Sequence, residues 1–198
     1  MTESAHAVRR PEAQFSGLRM TADEFFDLPE DGYRYELVHG VVVMSPSPTP
    51  RHQAIVMELA GQIHAYLRAH PVGQVLAETD MHLGAVRGRD LVYRPEIVFL
   101  RTERWKEVLV ADRITGPPDL AVEVISPGSR RYDSETKRED YERFGVAEYW
   151  LVDPERSTMT FYVLEGGRFV AAGSDGETFA SRAVPDFVLD LARVRALF

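Results

Sequence analysis

Two spacings of apolar residues alternate along this chain, and each predicts its own kind of element. In residues 50–69, PRHQAIVMELAGQIHAYLRA, the apolar positions Ile55, Leu59, Ile63, Tyr66 and Leu67 fall three or four apart, which predicts a long amphipathic helix. Ahead of it, Thr21 with Glu24 three residues on is a capping-box pattern, and it predicts a short helix stopped near Pro29. Strand-like runs fill most of the rest. YRYELVHGVVVMS reads as two strands about the two-residue turn His39-Gly40, and TMTFYVLEGGRFVAAG as a hairpin about Gly166-Gly167. QVLAETDMHL, DLVYRPEIVFL, DLAVEVIS and AEYWLVD read as further strands.

Between these runs, SPSPTP and ERWKEVLVADRITGPP read as loops. The charged stretch of residues 134–144 has helix-forming composition and ends at Gly145, a helix-terminating residue; PDFVLDLARVRALF predicts a last short helix. Residues 1–17 are polar and irregular, a flexible arm, and residues 18–198 form one domain. The expected fold is α/β, of mixed α and β type, with a central mixed sheet flanked by helices.

Composition narrows the function. Of the 198 residues 44% are hydrophobic and 27% charged, a balance suited to a well-cored globular domain. There is no cysteine, so disulfides and thiolate metal sites are excluded. No apolar run approaches the roughly 20 residues of a membrane span, and the N-terminus lacks the apolar stretch of a secretory signal; a cytoplasmic protein without membrane contact is expected. The net charge of −8 argues against holding nucleic acid by a broad basic surface, yet suits a cluster of acids that takes up a cation.

Three acids stand among apolar neighbours. Glu123 lies in DLAVEVIS, where strand alternation gives Asp119, Ala121, Glu123 and Ile125 one face. Glu96 follows Pro95 in DLVYRPEIVFL, and Glu36 lies in YRYELV. A buried, ionised carboxylate costs several kcal/mol unless it is paired or metal-bound. A shared site for Mg²⁺ or Mn²⁺ explains all three, because hard cations prefer oxygen ligands. Lys137 and Tyr141, four apart, share a helical face, with Asp133 a turn earlier. Blander readings stand beside this one: Glu123 satisfied by Arg130, Arg131 or Lys137 without chemistry, Glu96 at a strand edge, Glu36 facing out of a hairpin, Lys137 on a solvated helix, Tyr141 as a core aromatic. The six histidines show no zinc spacing, and neither a phosphate-binding G-x-x-x-x-G-K-[ST] nor a G-x-S-x-G elbow occurs.

The segments YELVHGVVVMSPSPTPRHQ, RPEIVF, DLAVEVISPGSRRYD with its following lysine, and GVAEYWLVDPE together resemble the Uma-two family, restriction-endonuclease-like proteins once grouped as a domain of unknown function. That family is placed in the PD-(D/E)XK nuclease superfamily, and the likeness spans residues 21–191. The resemblance implies a restriction-endonuclease-like core with a divalent-metal site. It implies that Glu96 and Glu123 hold the ion, that Lys137 is the catalytic lysine displaced into the next helix, and that Glu36 belongs to the same catalytic set. His52 corresponds to the histidine of the family's RHQ-type helix start. Tyr141, Arg130 and Arg131 are candidates for supporting or phosphate contacts. One departure stands out: Glu96 occupies a position where the family usually has aspartate. The expected activity is Mg²⁺- or Mn²⁺-dependent cleavage of DNA, by a monomer or a homodimer. The alternative is a catalytically decayed nuclease fold acting as an interaction or accessory protein of a mobile element or defence system.

Overall fold

Local chemistry starts the chain as expected. In the computed structural model, which describes residues 13–126 and 128–198, Thr21 caps α1 (Ala22–Phe26). Its hydroxyl accepts the Glu24 N–H, and the Glu24 carboxylate accepts the Thr21 N–H at 2.8 Å. β1 (Arg34–Val38) and β2 (Val41–Ser45) pair about His39 and Gly40, whose φ values of 48° and 74° are those of the hairpin turn that matches strand twist. Thr49 caps α2 (Pro50–Ala69), which buries Ile55, Val56, Leu59, Ile63 and Leu67 along one stripe.

The chain continues through β3 (Gly73–Ala77), β4 (Met81–Val86), β5 (Arg89–Tyr93), β6 (Ile97–Arg101), α3 (Thr102–Val108), β7 (Leu109–Val110), β8 (Arg113–Thr115) and β9 (Leu120–Val124). A π-helical turn, Tyr132–Lys137, runs directly into α4 (Arg138–Phe144). Then come β10 (Glu148–Asp153), β11 (Thr158–Glu165), β12 (Arg168–Ala172), β13 (Thr178–Ala180), β14 (Val188–Asp190) and α5 (Leu191–Arg195).

The mixed α/β class holds, but the expected central sheet is accompanied by a second of equal size. One sheet has the order β2-β1-β5-β4-β8-β7 and the other β12-β11-β10-β9-β6-β3; β13 and β14 form a small separate pair. In the second sheet β9 runs parallel to β10 and antiparallel to β6. Leu120, Val122 and Val124 of β9 pack with α2 and the C-terminal segment. Ala121 and Ile125, from the alternate positions, pack between the two sheets with Leu91, Tyr93 and Tyr141. A third cluster joins α1 to the outer face of the first sheet through Phe25, Leu37 and Val92.

Four expectations are corrected. QVLAETDMHL falls into β3 and β4, which belong to different sheets. DLVYRPEIVFL is two strands in different sheets, because proline at 95 donates no ladder hydrogen bond and the chain crosses between sheets at residues 94–96. The excursion after Arg101 contains α3 and the β7–β8 hairpin. Of the N-terminal arm, residues 1–12 lie outside the described residues, while 13–17 form a turn that packs Phe15 edge-on against Tyr35. Among the described residues no helix is long and apolar enough to cross a membrane.

Candidate active site

Glu123 sits on the face of β9 that looks between the sheets, one position before the strand ends. Its carboxylate is almost fully buried, and its Oε1 accepts two hydrogen bonds, from Lys137 Nζ at 2.8 Å and from the Tyr141 hydroxyl at 2.8 Å. Both donors come from the π turn and α4. The four-residue spacing that suggested one helical face therefore delivers both side chains to a single oxygen.

Lys137 is equally buried and has three acids around it. Besides Glu123, Glu36 Oε1 lies at 3.0 Å and Asp133 Oδ1 at 3.7 Å. Glu36 comes from β1 in the other sheet, and the same Oε1 accepts the Arg94 backbone N–H at 2.7 Å. Burial alone would drive the Lys137 ammonium to lose its proton, but the carboxylates of Glu123, Glu36 and Asp133 outweigh it and raise its pKa. Burial in turn pushes Glu123 well above, and Asp133 above, the ordinary carboxylate value, even against the pull of Lys137. The cluster thus carries one cation among three carboxyls, and any further positive charge there is favoured.

Glu96 stands just before β6. The β6–β9 register pairs Ile97 with Val122, and one further step sets Glu96 opposite Glu123. At antiparallel spacing, roughly 5 Å separates such Cα atoms. The expectation of a strand residue is thus amended to a bend at the strand's mouth. Its Oε1 lies 3.2 Å from His52 Nε2, and that ring nitrogen also lies 2.8 Å from the Val124 carbonyl. A carbonyl only accepts, so Nε2 carries the proton and donates to both oxygens. Burial would lower the His52 pKa, yet Glu96 and the Val124 carbonyl outweigh it and raise it. Glu96 Oε2 is buried without a hydrogen-bond partner.

Glu36, Glu96, Glu123, His52 and Lys137 line one cavity of about 170 Å³, together with Asp133, Tyr132 and the loop from β2 to α2. Arg34 and Arg94 also line it, held respectively by Glu78 at 2.6 Å and by both oxygens of Asp80. These two arginines and Tyr132 were not among the candidates, since nothing local distinguishes them from the chain's other arginines and tyrosines. Tyr141 proves to be a buried hydrogen-bond donor rather than only a core aromatic. Arg130 and Arg131 lie elsewhere: Arg130 pairs with Asp153 and Glu155, and the exposed Arg131 with Glu135, in an adjoining cleft.

The sequence matches the Uma2 family, described as "Putative restriction endonuclease", over residues 22–192. The chain belongs to that family. No curated protein matches it. Among solved structures, the crystal structure of a "putative nuclease belonging to DUF820" from Anabaena variabilis superposes with a TM-score of 0.74. The two are 19% identical, over 90% of this chain and 98% of the other, so the likeness is one of fold.

The donors of this Uma2 protein suit a hard divalent cation. Glu96 Oε2 lacks a partner, and both hydrogen bonds to Glu123 end on Oε1, leaving its Oε2 uncommitted. Among the described residues no group of three or more His, Cys, Asp or Glu is set to surround a metal. An ion here would take two carboxylates and complete its shell with water, as magnesium commonly does.

Proposed function

We propose that this protein is a metal-dependent endonuclease that hydrolyses DNA phosphodiester bonds, with Glu96 and Glu123 holding Mg²⁺ or Mn²⁺. The observation that carries the reading is the buried Glu36–Lys137–Glu123 chain, with Glu96 opposite Glu123 at the mouth of the same cavity. When bound, the ion supplies Lewis-acid polarisation of the phosphate and lowers the pKa of water beside it. In the hydrolysis, a water oxygen bonds to phosphorus and the bond to the leaving sugar oxygen breaks. One water proton ends on that oxygen and the other in solvent.

Each protein group has a separate task. Lys137 stays protonated, so it acts as a donor to the attacking or phosphate oxygen rather than as a base. Glu36 fixes it from the far side. Tyr141 and Lys137 hold Glu123 by one oxygen so that the other faces the ion. His52 orients Glu96 through Nε2. Arg34 and Arg94 at the cavity, and Arg131 beside it, contact flanking phosphates.

Glutamate at 96, in place of the family's usual aspartate, is the observation favouring the second reading, a decayed nuclease fold with an accessory role. Supercoiled plasmid incubated with Mg²⁺, Mn²⁺ or a chelator decides between them. The nuclease reading expects nicking with metal alone; intact plasmid under all three conditions, together with no heat of Mn²⁺ binding, supports the accessory protein.

A further inference from the structure

We infer that a basic cleft at the opposite end of the first sheet grips the phosphate backbone of the nucleic acid. The inference rests on the nuclease reading for which polyanion is bound, not for the existence of an anion site. The cleft is lined by His39 from the β1–β2 turn, Val86, Arg87 and Arg89 from the β4–β5 hairpin, and Arg143 from the end of α4. It contains no acid of its own.

Its charge is nearly unbalanced. Among the described residues Arg87 and Arg89 have no ion-pair partner, and both are exposed. Arg143 is half exposed, with its Nη1 3.7 Å from Asp140 Oδ1. Among the described residues Asp140 is the one carboxylate within ion-pairing distance of these arginines, and it is already engaged: the Tyr93 hydroxyl donates to Oδ2 at 2.6 Å, and His39 Nε2 lies 3.2 Å from the same oxygen. The three guanidinium groups make the lining itself positive, on a chain whose net charge is −8. Like charges gathered in a concave site concentrate positive potential, and a phosphate diester relieves it.

The β4–β5 turn sets Arg87 and Arg89 two residues apart. Arg87 and Gly88 both take positive φ, 52° and 72°, in the tight turn between paired strands, and the register sets Val86 opposite Arg89. Arginine also suits the ligand, since its planar fork can donate two parallel hydrogen bonds to one phosphate.

Position points to nucleic acid rather than a small anion. Arg89 opens β5 in the cleft, and Arg94, just past the end of the same strand, lines the candidate active site. Five residues at about 3.4 Å each put roughly 17 Å between the two sites. At 3.4 Å per nucleotide along one strand, that is roughly five nucleotides. A small anion would gain nothing from such an arrangement; a polymer of phosphates spans it.

The test measures binding of a fluorescein-labelled 30-base-pair duplex by anisotropy, in a chelator so that cleavage does not intervene. Arg87→Glu combined with Arg89→Glu changes only exposed side chains of the β4–β5 hairpin, and a melting scan checks that the fold is kept. The inference expects affinity on the order of tenfold weaker at low salt, and a slope of log K against log salt smaller in magnitude by about 2. Arg143→Gln, which removes one contact, is expected to reduce the slope by about 1. Unchanged affinity and slope in both variants overturn it. So does binding of phosphatidylserine vesicles, but not of duplex, that depends on these arginines. Turnover of bis(p-nitrophenyl) phosphate by the wild-type protein with Mn²⁺ reports separately on the metal centre. No turnover, with arginine-dependent duplex binding, sinks the nuclease reading and leaves the cleft standing.

Discussion

Lys137 Nζ lies 2.8 Å from Glu123 Oε1, and the two partners of this buried pair are not equally replaceable. Lys137 is the only cation within ion-pairing distance of Glu36 and Glu123 among the described residues, whereas Lys137 keeps Glu36 and Asp133 if Glu123 loses its charge. Removing one member of a buried pair costs about 3–5 kcal/mol when an uncompensated charge remains. Lys137→Met is therefore expected to destabilise by about that amount, and Glu123→Gln to be neutral or mildly stabilising. Urea unfolding at pH 7.5 measures both; equal losses in the two variants would contradict the asymmetry.

The same pair sets a pH dependence. Burial raises the Glu123 pKa above its ordinary 4.5. A carboxyl with a raised folded pKa binds its proton more tightly when folded, so its contribution to stability declines as pH rises from the unfolded value through the raised one. The stability difference between Glu123→Gln and wild type should then move in the variant's favour as pH climbs above 4.5. Unfolding curves at pH 5, 6.5 and 8 report it, and a difference constant with pH would refute the assignment.

Outside the cavity's lining, Glu148 is fully buried and accepts from the Trp150 indole, the Ser181 hydroxyl, and the backbone N–H groups of Arg182 and Ala183. One carboxylate thus ties β10 to the C-terminal segment. An amide presents NH₂ to some of those donors, so Glu148→Gln should cost about 2–4 kcal/mol. A Tm unchanged in Glu148→Gln would mean that the segment is held by packing alone.

Glu96 Oε2, without a partner in the cavity, predicts that Glu96→Ala weakens Mn²⁺ binding by at least tenfold in calorimetric titration while leaving stability within about 1 kcal/mol. His52→Ala should weaken it less, since the histidine only orients the acid. Wild-type affinity in Glu96→Ala would remove this residue from the metal site.

Much of this arrangement is written locally in the chain. The helix over Pro50–Ala69 is visible in its apolar stripe, and the hairpins in His39-Gly40 and Gly166-Gly167, because each signal lies within a few residues. The buried position of Glu123 follows from its apolar neighbours in the strand. What escaped was long-range. The break at Arg94–Pro95 looks like a pause in one strand, and only tertiary pairing shows that β5 and β6 serve different sheets. α3 carries a weak local signal because it is seven residues long, its N-cap offers no side-chain bond, and most of it is not buried. Arg130, in the loop between strand and helix, reads as a phosphate contact, whereas its partners Asp153 and Glu155 lie more than 20 residues away.

The most direct test is plasmid cleavage by Glu123→Gln beside the wild type, in Mg²⁺ and in Mn²⁺, with thermal melting of both. Metal-dependent nicking by the wild type is expected, with a loss of at least a thousandfold in the variant and its Tm equal or higher. Nicking by Glu123→Gln at the wild-type rate would contradict it.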